Sequence, residues 1–313
     1  MTLNLGLTHP FGAFLVTDRL VTDDRATIDA AANKNLVYLA RNGILAIGYT
    51  GFAYIDNAPT DQWLAETLLD TRFDRGGQMA NIMGASHQVL TIAEAIVAVR
   101  NAVSGAAPLI ADRFRSQWLP SEFDVLSVGY EWNDEEWWCV IHGVSKAAGE
   151  AECSTTSVQR RLGLMAAPAS TSGSEQLEAI NQAIARATSA SEVENALVSG
   201  VRSAANEHRT VGRDCLVIQL GLPGTASAVV RFSPQDPDKS KEAIPVGYRL
   251  QRTMPIAYSP WVIGPGMVHP PSRLVGDQEA VFENHYTVTL KGARPTGPIV
   301  GASSSQRRRS PPR

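Results

Sequence analysis

Met1 is followed by Thr2, and methionine aminopeptidases remove an initiator methionine when the second residue is small. The chain would then begin with a hydroxyl and a free α-amine on one residue. That pair is a nucleophile with its own base, because an α-amine of unperturbed pKa about 7.7–8.0 can take the hydroxyl proton near neutral pH. Three residues at fixed offsets could complete an acyl-transfer site: Asp18, Lys34 and Gly48 lie 16, 32 and 46 positions after Thr2. A nearby Lys34 ammonium would lower the pKa of both hydroxyl and amine and so favour their nucleophilic forms. Its compact charge suits the floor of a small site better than a guanidinium does. Asp18 would keep Lys34 charged and oriented when both are buried. The Gly48 N–H would donate to a developing oxyanion, and the missing side chain lets a substrate approach. The lysine carries the most information, since the chain has only five, at 34, 146, 239, 241 and 291. Composition alone would put one at a specified position in roughly 2% of cases.

These offsets sit inside longer runs: Thr-Leu-Asn-Leu-Gly-Leu at 2–7, Gly-Ala-Phe-Leu-Val-Thr-Asp-Arg at 12–19, Asn33-Lys34-Asn35-Leu36 and Ala46-Ile47-Gly48-Tyr49-Thr50-Gly51. Together they resemble the proteasome β-subunit family of N-terminal nucleophile hydrolases, closely over residues 2 to 52 and loosely to about 232. The resemblance implies a threonine protease that cleaves peptide bonds through an acyl-enzyme on Thr2, with no cofactor and no metal. It also implies a homo-oligomer acting on a peptide or protein substrate. Ser172-Gly173-Ser174 matches a turn the family places near its threonine, which makes Ser172 a supporting candidate. Arg213-Asp214 matches a second family element and makes Asp214 another. Here the sequence departs from the pattern: the family has Ser-Gly shortly after the aspartate, and this chain has Cys215-Leu216-Val217. Two alternatives stay open, an amidohydrolase of a small amide and a non-catalytic scaffold or interaction protein.

The elements that must position these residues can be read from periodicity. Thr2–Leu7 and Ala13–Thr17 read as strands around a His9-Pro10-Phe11-Gly12 turn, and Leu36–Ala40 and Ile44–Tyr49 flank Asn42-Gly43. Asn-Gly between apolar runs is a strong hairpin signal because both residues tolerate positive φ. Thr60 caps a helix running to about Leu69, and Thr91 with Glu94 forms a capping-box pattern before a second. Strands are expected at Phe123–Tyr130, Glu136–Val144 and Arg161–Ala166. Two further helices follow, boxed by Ser172 with Glu175 and by Ser191 with Glu194. Asp214–Leu220 and Ala226–Arg231 form a last hairpin. Strands and helices in blocks predict an α+β fold, and two helix pairs with two strand sets suit a four-layer αββα sandwich. The division expected is a hydrolase domain at 2–232, a C-terminal extension at 233–290 containing an isolated strand at Ala280–Leu290, and a disordered Arg/Pro/Ser tail at 291–313.

Composition narrows the classes. Hydrophobic residues make up 44% and charged residues 19%, as in ordinary globular chains. Cys139, Cys153 and Cys215 form no C-x-x-C pair and read as reduced thiols of a cytoplasmic protein. The six histidines show no zinc-site spacing. The net charge is −3, and residues 292–313 hold five arginines and no acid, so the body is acidic and no nucleic-acid partner is expected. No basic leader opens the chain, and the 20-residue uncharged run Thr253–Ser272 holds five prolines, so no membrane partner is expected either.

Overall fold

The computed structural model describes residues 3–22, 27–29, 32–56, 58–73, 88–114, 122–132, 136–147, 150–159, 162–167, 173–221, 227–235, 243–246, 249–252, 256–258, 260–265, 267–271, 273–275, 279–283 and 287–291. The chain opens with β1 (Asn4–His9), β2 (Gly12–Asp18), β3 (Asn35–Ala40) and β4 (Gly43–Thr50). Helices α1 (Thr60–Leu69) and α2 (Ile92–Phe114) follow. Then come β5 (Glu122–Glu131), β6 (Trp137–Ala147), β7 (Glu150–Gln159) and β8 (Gly163–Ala167). Helices α3 (Ser174–Arg186) and α4 (Ala190–Glu207) precede β9 (Cys215–Leu220) and β10 (Ala228–Ser233). The last sheet strands are β11 (Trp261–Gly264), β12 (Met267–His269), β13 (Glu279–Glu283) and β14 (Thr287–Lys291).

These strands build two seven-stranded sheets. The first has the order β8-β1-β2-β9-β10-β13-β14, and the second β7-β6-β5-β4-β3-β11-β12. Every pairing is antiparallel except β11 alongside β3. The class is α+β, with large antiparallel sheets and four helices among the described residues.

Period-two alternation divides the apolar residues of each strand. Leu3, Leu5, Leu7, Phe14 and Val16 form one core with Ile180, Ile184, Val193, Leu197 and Val201 of α3 and α4. Leu45, Ile47, Val125 and Val140 form another with Trp63, Leu64, Ile96, Val99 and Val103 of α1 and α2. Ala13, Leu15, Leu216 and Ile218 of the first sheet meet Ile44, Ala46, Leu126 and Val128 of the second in a third core. By length and composition Ile92–Ile110 of α2 could cross a membrane. Here its Ile92, Ala95, Ile96, Val99, Val103, Ala106 and Ile110 stripe is buried against the second sheet.

Several local expectations shift once tertiary contacts are counted. The turn between β3 and β4 is Arg41-Asn42, with Gly43 already paired to Ala40, and neither turn residue has positive φ. Asn42 is held from outside the hairpin. Its Nδ2 donates to Glu131 Oε2 at 2.8 Å, and its Oδ1 accepts from the Ile92 N–H at 2.8 Å. Gly43 is glycine for space, since a Cβ there would collide with Ile92 Cδ1 and the Tyr130 carbonyl. The capping box at Thr91 and Glu94 forms, with Thr91 N–H to Glu94 Oε2 at 2.8 Å. In α4 the cap is Ser189 rather than Ser191, accepting from the Glu192 N–H at 3.3 Å. Thr60 is the first helical residue of α1 and donates to the Phe52 carbonyl at 2.8 Å instead of capping. In place of one strand at Ala280–Leu290 there are two, β13 and β14, paired at the edge of the first sheet. The proline-rich run at Thr253–Ser272 contains β11 and β12 of the second sheet and a three-residue strand, Ile256–Tyr258.

Candidate active site

Asp18 ends β2, opposite Cys215 of β9. Its carboxylate is fully buried and draws in four groups. Oδ1 accepts from the Leu3 N–H at 3.0 Å. Oδ2 accepts from the Leu20 N–H at 3.0 Å and the Gly212 N–H at 2.9 Å. Lys34 Nζ lies 3.4 Å from each oxygen and donates to the Leu20 carbonyl at 2.6 Å. The Leu3 carbonyl also accepts from the Asp18 N–H at 3.3 Å, so the start of β1 is clamped to the end of β2 at this one residue. A buried ion pair survives desolvation only when further hydrogen bonds satisfy its remaining donors and lone pairs, as the Leu3, Leu20 and Gly212 backbone groups do for this carboxylate.

Lys34 enters the site from the residue before β3, and its backbone is fixed from three sides. Asn33 Oδ1 accepts from the Asn35 N–H at 3.1 Å, a local Asx turn. Asn33 Nδ2 donates to Asp61 Oδ2 at 2.8 Å, and Trp261 Nε1 donates to the same oxygen at 3.2 Å. Burial pushes the Asp61 carboxyl up, and the Asn33 bond works against that shift. Across the hairpin, the Tyr49 N–H donates to the Lys34 carbonyl at 3.2 Å and Tyr49 Oη to the Asn33 carbonyl at 3.2 Å.

Gly48 pairs with Asn35 on one side and Leu126 on the other. It faces the space between the sheets, where a Cβ would stand 3.1 Å from Asn35 Oδ1 and 3.2 Å from both Leu15 Cδ2 and Thr17 Cγ2. Asn35 Nδ2 donates to Thr17 Oγ1 at 2.6 Å and joins the two sheets beside Gly48.

The structure thus brings Asp18 and Lys34 into contact and sets Gly48 one residue pair away, on the strand that hydrogen-bonds Lys34. Asp214 is half-buried immediately before β9, and its Oδ1 accepts from the Gln235 N–H at 2.7 Å. Thr2 and Ser172 lie outside the described residues. Gly212, the Leu20 carbonyl, Asn33, Asp61 and Thr17 hold the site and were not foreseen. Backbone groups leave no mark on residue type, and Gly212 joins Asp18 from 194 positions away. Thr17 and Asn35 did carry a signal, as polar residues at the ends of otherwise apolar strands.

No family model matches this chain, and no curated protein does. Solved structures similar to it are Anbu (ancestral beta-subunit) proteins. That from Yersinia bercovieri is 12% identical with a TM-score of 0.44, over 71% of this chain and 82% of its own. The helical assembly of the Anbu complex from Pseudomonas aeruginosa is 8% identical with a TM-score of 0.46, over 75% and 87%. A Gly-1 mutant of Anbu from Hyphomicrobium sp. strain MC1 is 10% identical with a TM-score of 0.42, over 71% and 82%. Placement in the proteasome β-subunit family is therefore corrected. No family model supports it, and these similar structures are ancestral beta-subunits, too distant to carry a residue role across.

Proposed function

We propose that this chain is an N-terminal threonine hydrolase that cleaves amide bonds through an acyl-enzyme on Thr2 after Met1 is removed. The observation that carries the reading is the bond from the Leu3 N–H to Asp18 Oδ1 at 3.0 Å, while Asp18 also holds Lys34. Leu3 is covalently joined to Thr2, so the residue beside the proposed nucleophile is anchored to the ion pair that would activate it.

In this reading Thr2 Oγ attacks the substrate carbonyl carbon, and the α-amine takes the hydroxyl proton. The Lys34 charge favours the unprotonated amine. Gly48, which has no side chain, is the residue proposed to meet the developing oxyanion. The C–N bond breaks, the departing amine takes the proton from the α-ammonium, and an ester on Thr2 remains. Water activated by the same amine hydrolyses that ester and restores the hydroxyl. The proposed substrates are peptides or small acylated amines. The three apolar cores, one between the sheets and one under each helix pair, support a four-layer αββα arrangement. Self-association belongs to the proposal too, supported by the exposed Val97 and Leu109 of α2. Light scattering on the purified chain checks it.

One observation favours a non-catalytic scaffold instead: the Asp214 carboxylate is occupied by the Gln235 N–H. Intact mass of untagged protein with and without a β-lactone separates the two readings. Loss of Met1 with one adduct mapped to Thr2 is expected. A processed chain that takes no adduct overturns the hydrolase.

A further inference from the structure

The registers of the two sheets stack polar groups at the end of the space between them. Gly6 pairs with Leu15 in the first sheet, and Gly48 with Leu126 in the second. These four residues face one another: a Cβ on Gly6 would lie 3.0 Å from Leu126, and one on Gly48 3.2 Å from Leu15. One pair further toward the Asp18 end, Asn4 pairs with Thr17 and Thr50 with Asp124. Because Gly6 lies against Leu126 and Gly48 against Leu15, this second layer brings Asn4 and Asp124 to the same end of the space between the sheets. By period two both side chains point between the sheets.

Two of these groups have unmet hydrogen bonds. Asn4 is fully buried, and among the described residues neither its Nδ2 nor its Oδ1 has a partner. Asp124 is half-buried, and among the described residues no hydrogen bond or cation reaches it. Its space is made by Gly143, its partner on β6, because a Cβ there would collide with Asp124 Oδ1. Burial, with the like charge of Glu122 beside it, raises the Asp124 carboxyl to about 7. Leaving a buried polar group unpaired is costly, and a carboxylate pushed up by burial is one that an incoming cation would stabilise.

We infer that Asn4 and Asp124 form a subsite for a positively charged substrate group, a primary ammonium or guanidinium, near the proposed nucleophile. The cation donates one N–H to Asn4 Oδ1 and another to the Asp124 carboxylate. An acyl group bearing a lysine-like or arginine-like side chain would then be held with its carbonyl toward Gly48. The inference rests on the hydrolase reading for its purpose, but binding of the cation can be measured without turnover.

The test uses the full chain carrying Thr2→Ala, so that no acylation intervenes. Nα-acetyl-lysine N-methylamide and its uncharged norleucine isostere are titrated at pH 8 by ligand-observed NMR. The lysine probe should bind about tenfold tighter, as a charge-assisted hydrogen-bonded pair warrants. Asp124→Asn should remove that ratio while the thermal melt shows an intact fold. Asn4→Leu should reduce it, and Asp124→Asn alone decides if Asn4→Leu does not fold. Equal affinity for the two probes, no binding of either, or an unchanged ratio in Asp124→Asn would overturn the subsite. None of these outcomes bears on whether Thr2 takes an acyl group, which the β-lactone adduct reports separately.

Discussion

Lys34 Nζ stands 3.4 Å from both carboxylate oxygens of Asp18, with the two side chains 2% and 0% exposed. Two charges this deep depend on each other. Lys34→Met would leave Asp18 buried without its cation, at a cost of about 3–5 kcal/mol. A large fall in melting temperature is the expected result. Lys34→Arg keeps the charge but brings a planar, longer group into a space closed by the Leu20 carbonyl at 2.6 Å. It should retain more stability than Lys34→Met yet react with a β-lactone at a small fraction of the parent rate. Parent-like labelling of Lys34→Arg would remove the activating role assigned to Lys34.

Thr2→Ala should abolish adduct formation and leave the melting curve unchanged, since it removes only the nucleophilic oxygen. Thr2→Ser keeps hydroxyl and amine and should still be labelled, more slowly. Adduct formation on Thr2→Ala at the parent site count would move the nucleophile elsewhere.

Gly48→Ala would place a methyl 3.1–3.2 Å from Asn35 Oδ1, Leu15 Cδ2 and Thr17 Cγ2, so a neighbour must yield. Overpacking of this kind costs about 1–3 kcal/mol. Denaturant unfolding should show that loss together with slowed β-lactone labelling. A variant that loses stability but labels normally would leave Gly48 a packing residue and nothing more.

His142 gives the chain a pH signature. The ring is buried on β6 with neither nitrogen partnered among the described residues, and burial, with the nearby charge of Arg100, lowers its pKa to about 4. The unfolded chain binds this proton below about 6.5 and the folded chain does not. The stability associated with neutral His142 is therefore complete above that pH. It is lost as pH falls toward 4, by up to about 1.4 kcal/mol per pH unit. Asp124, raised to about 7, contributes the opposite slope across the whole of that window. The informative measurement is thus the difference between His142→Leu and the parent. The parent should lose more stability between pH 6.5 and 4.5 than His142→Leu does, and equal losses would show that His142 ionises freely in the fold.

Much of this molecule is written in local chemistry. The strand alternation of residues 4–18 and 35–50, the Thr91–Glu94 capping box and the helical stripe of α4 depend on contacts within a few residues. They form close to where the sequence places them. The pairing of Asp18 with Lys34 was legible for a related reason, because each sits at the edge of a strand whose limits hydrophobic periodicity defines. The turn at Arg41-Asn42 was not, since Glu131 and Ile92 hold Asn42 from outside the hairpin.

What the sequence could not decide is everything that depends on one sheet meeting another. Asn4 and Asp124 are polar residues in unrelated strands until the registers Gly6–Leu15 and Gly48–Leu126 set their layers face to face. The parallel strand β11 lies against β3, and Trp261 within it reaches Asp61 from 200 positions away. Residue types and spacing specified the groups able to do chemistry, because reactivity is a property of side chains. Which backbone N–H groups surround Asp18, and which polar side chains share its end of the space between the sheets, was decided by packing between the sheets, because that packing alone brings residues distant in sequence within hydrogen-bond range.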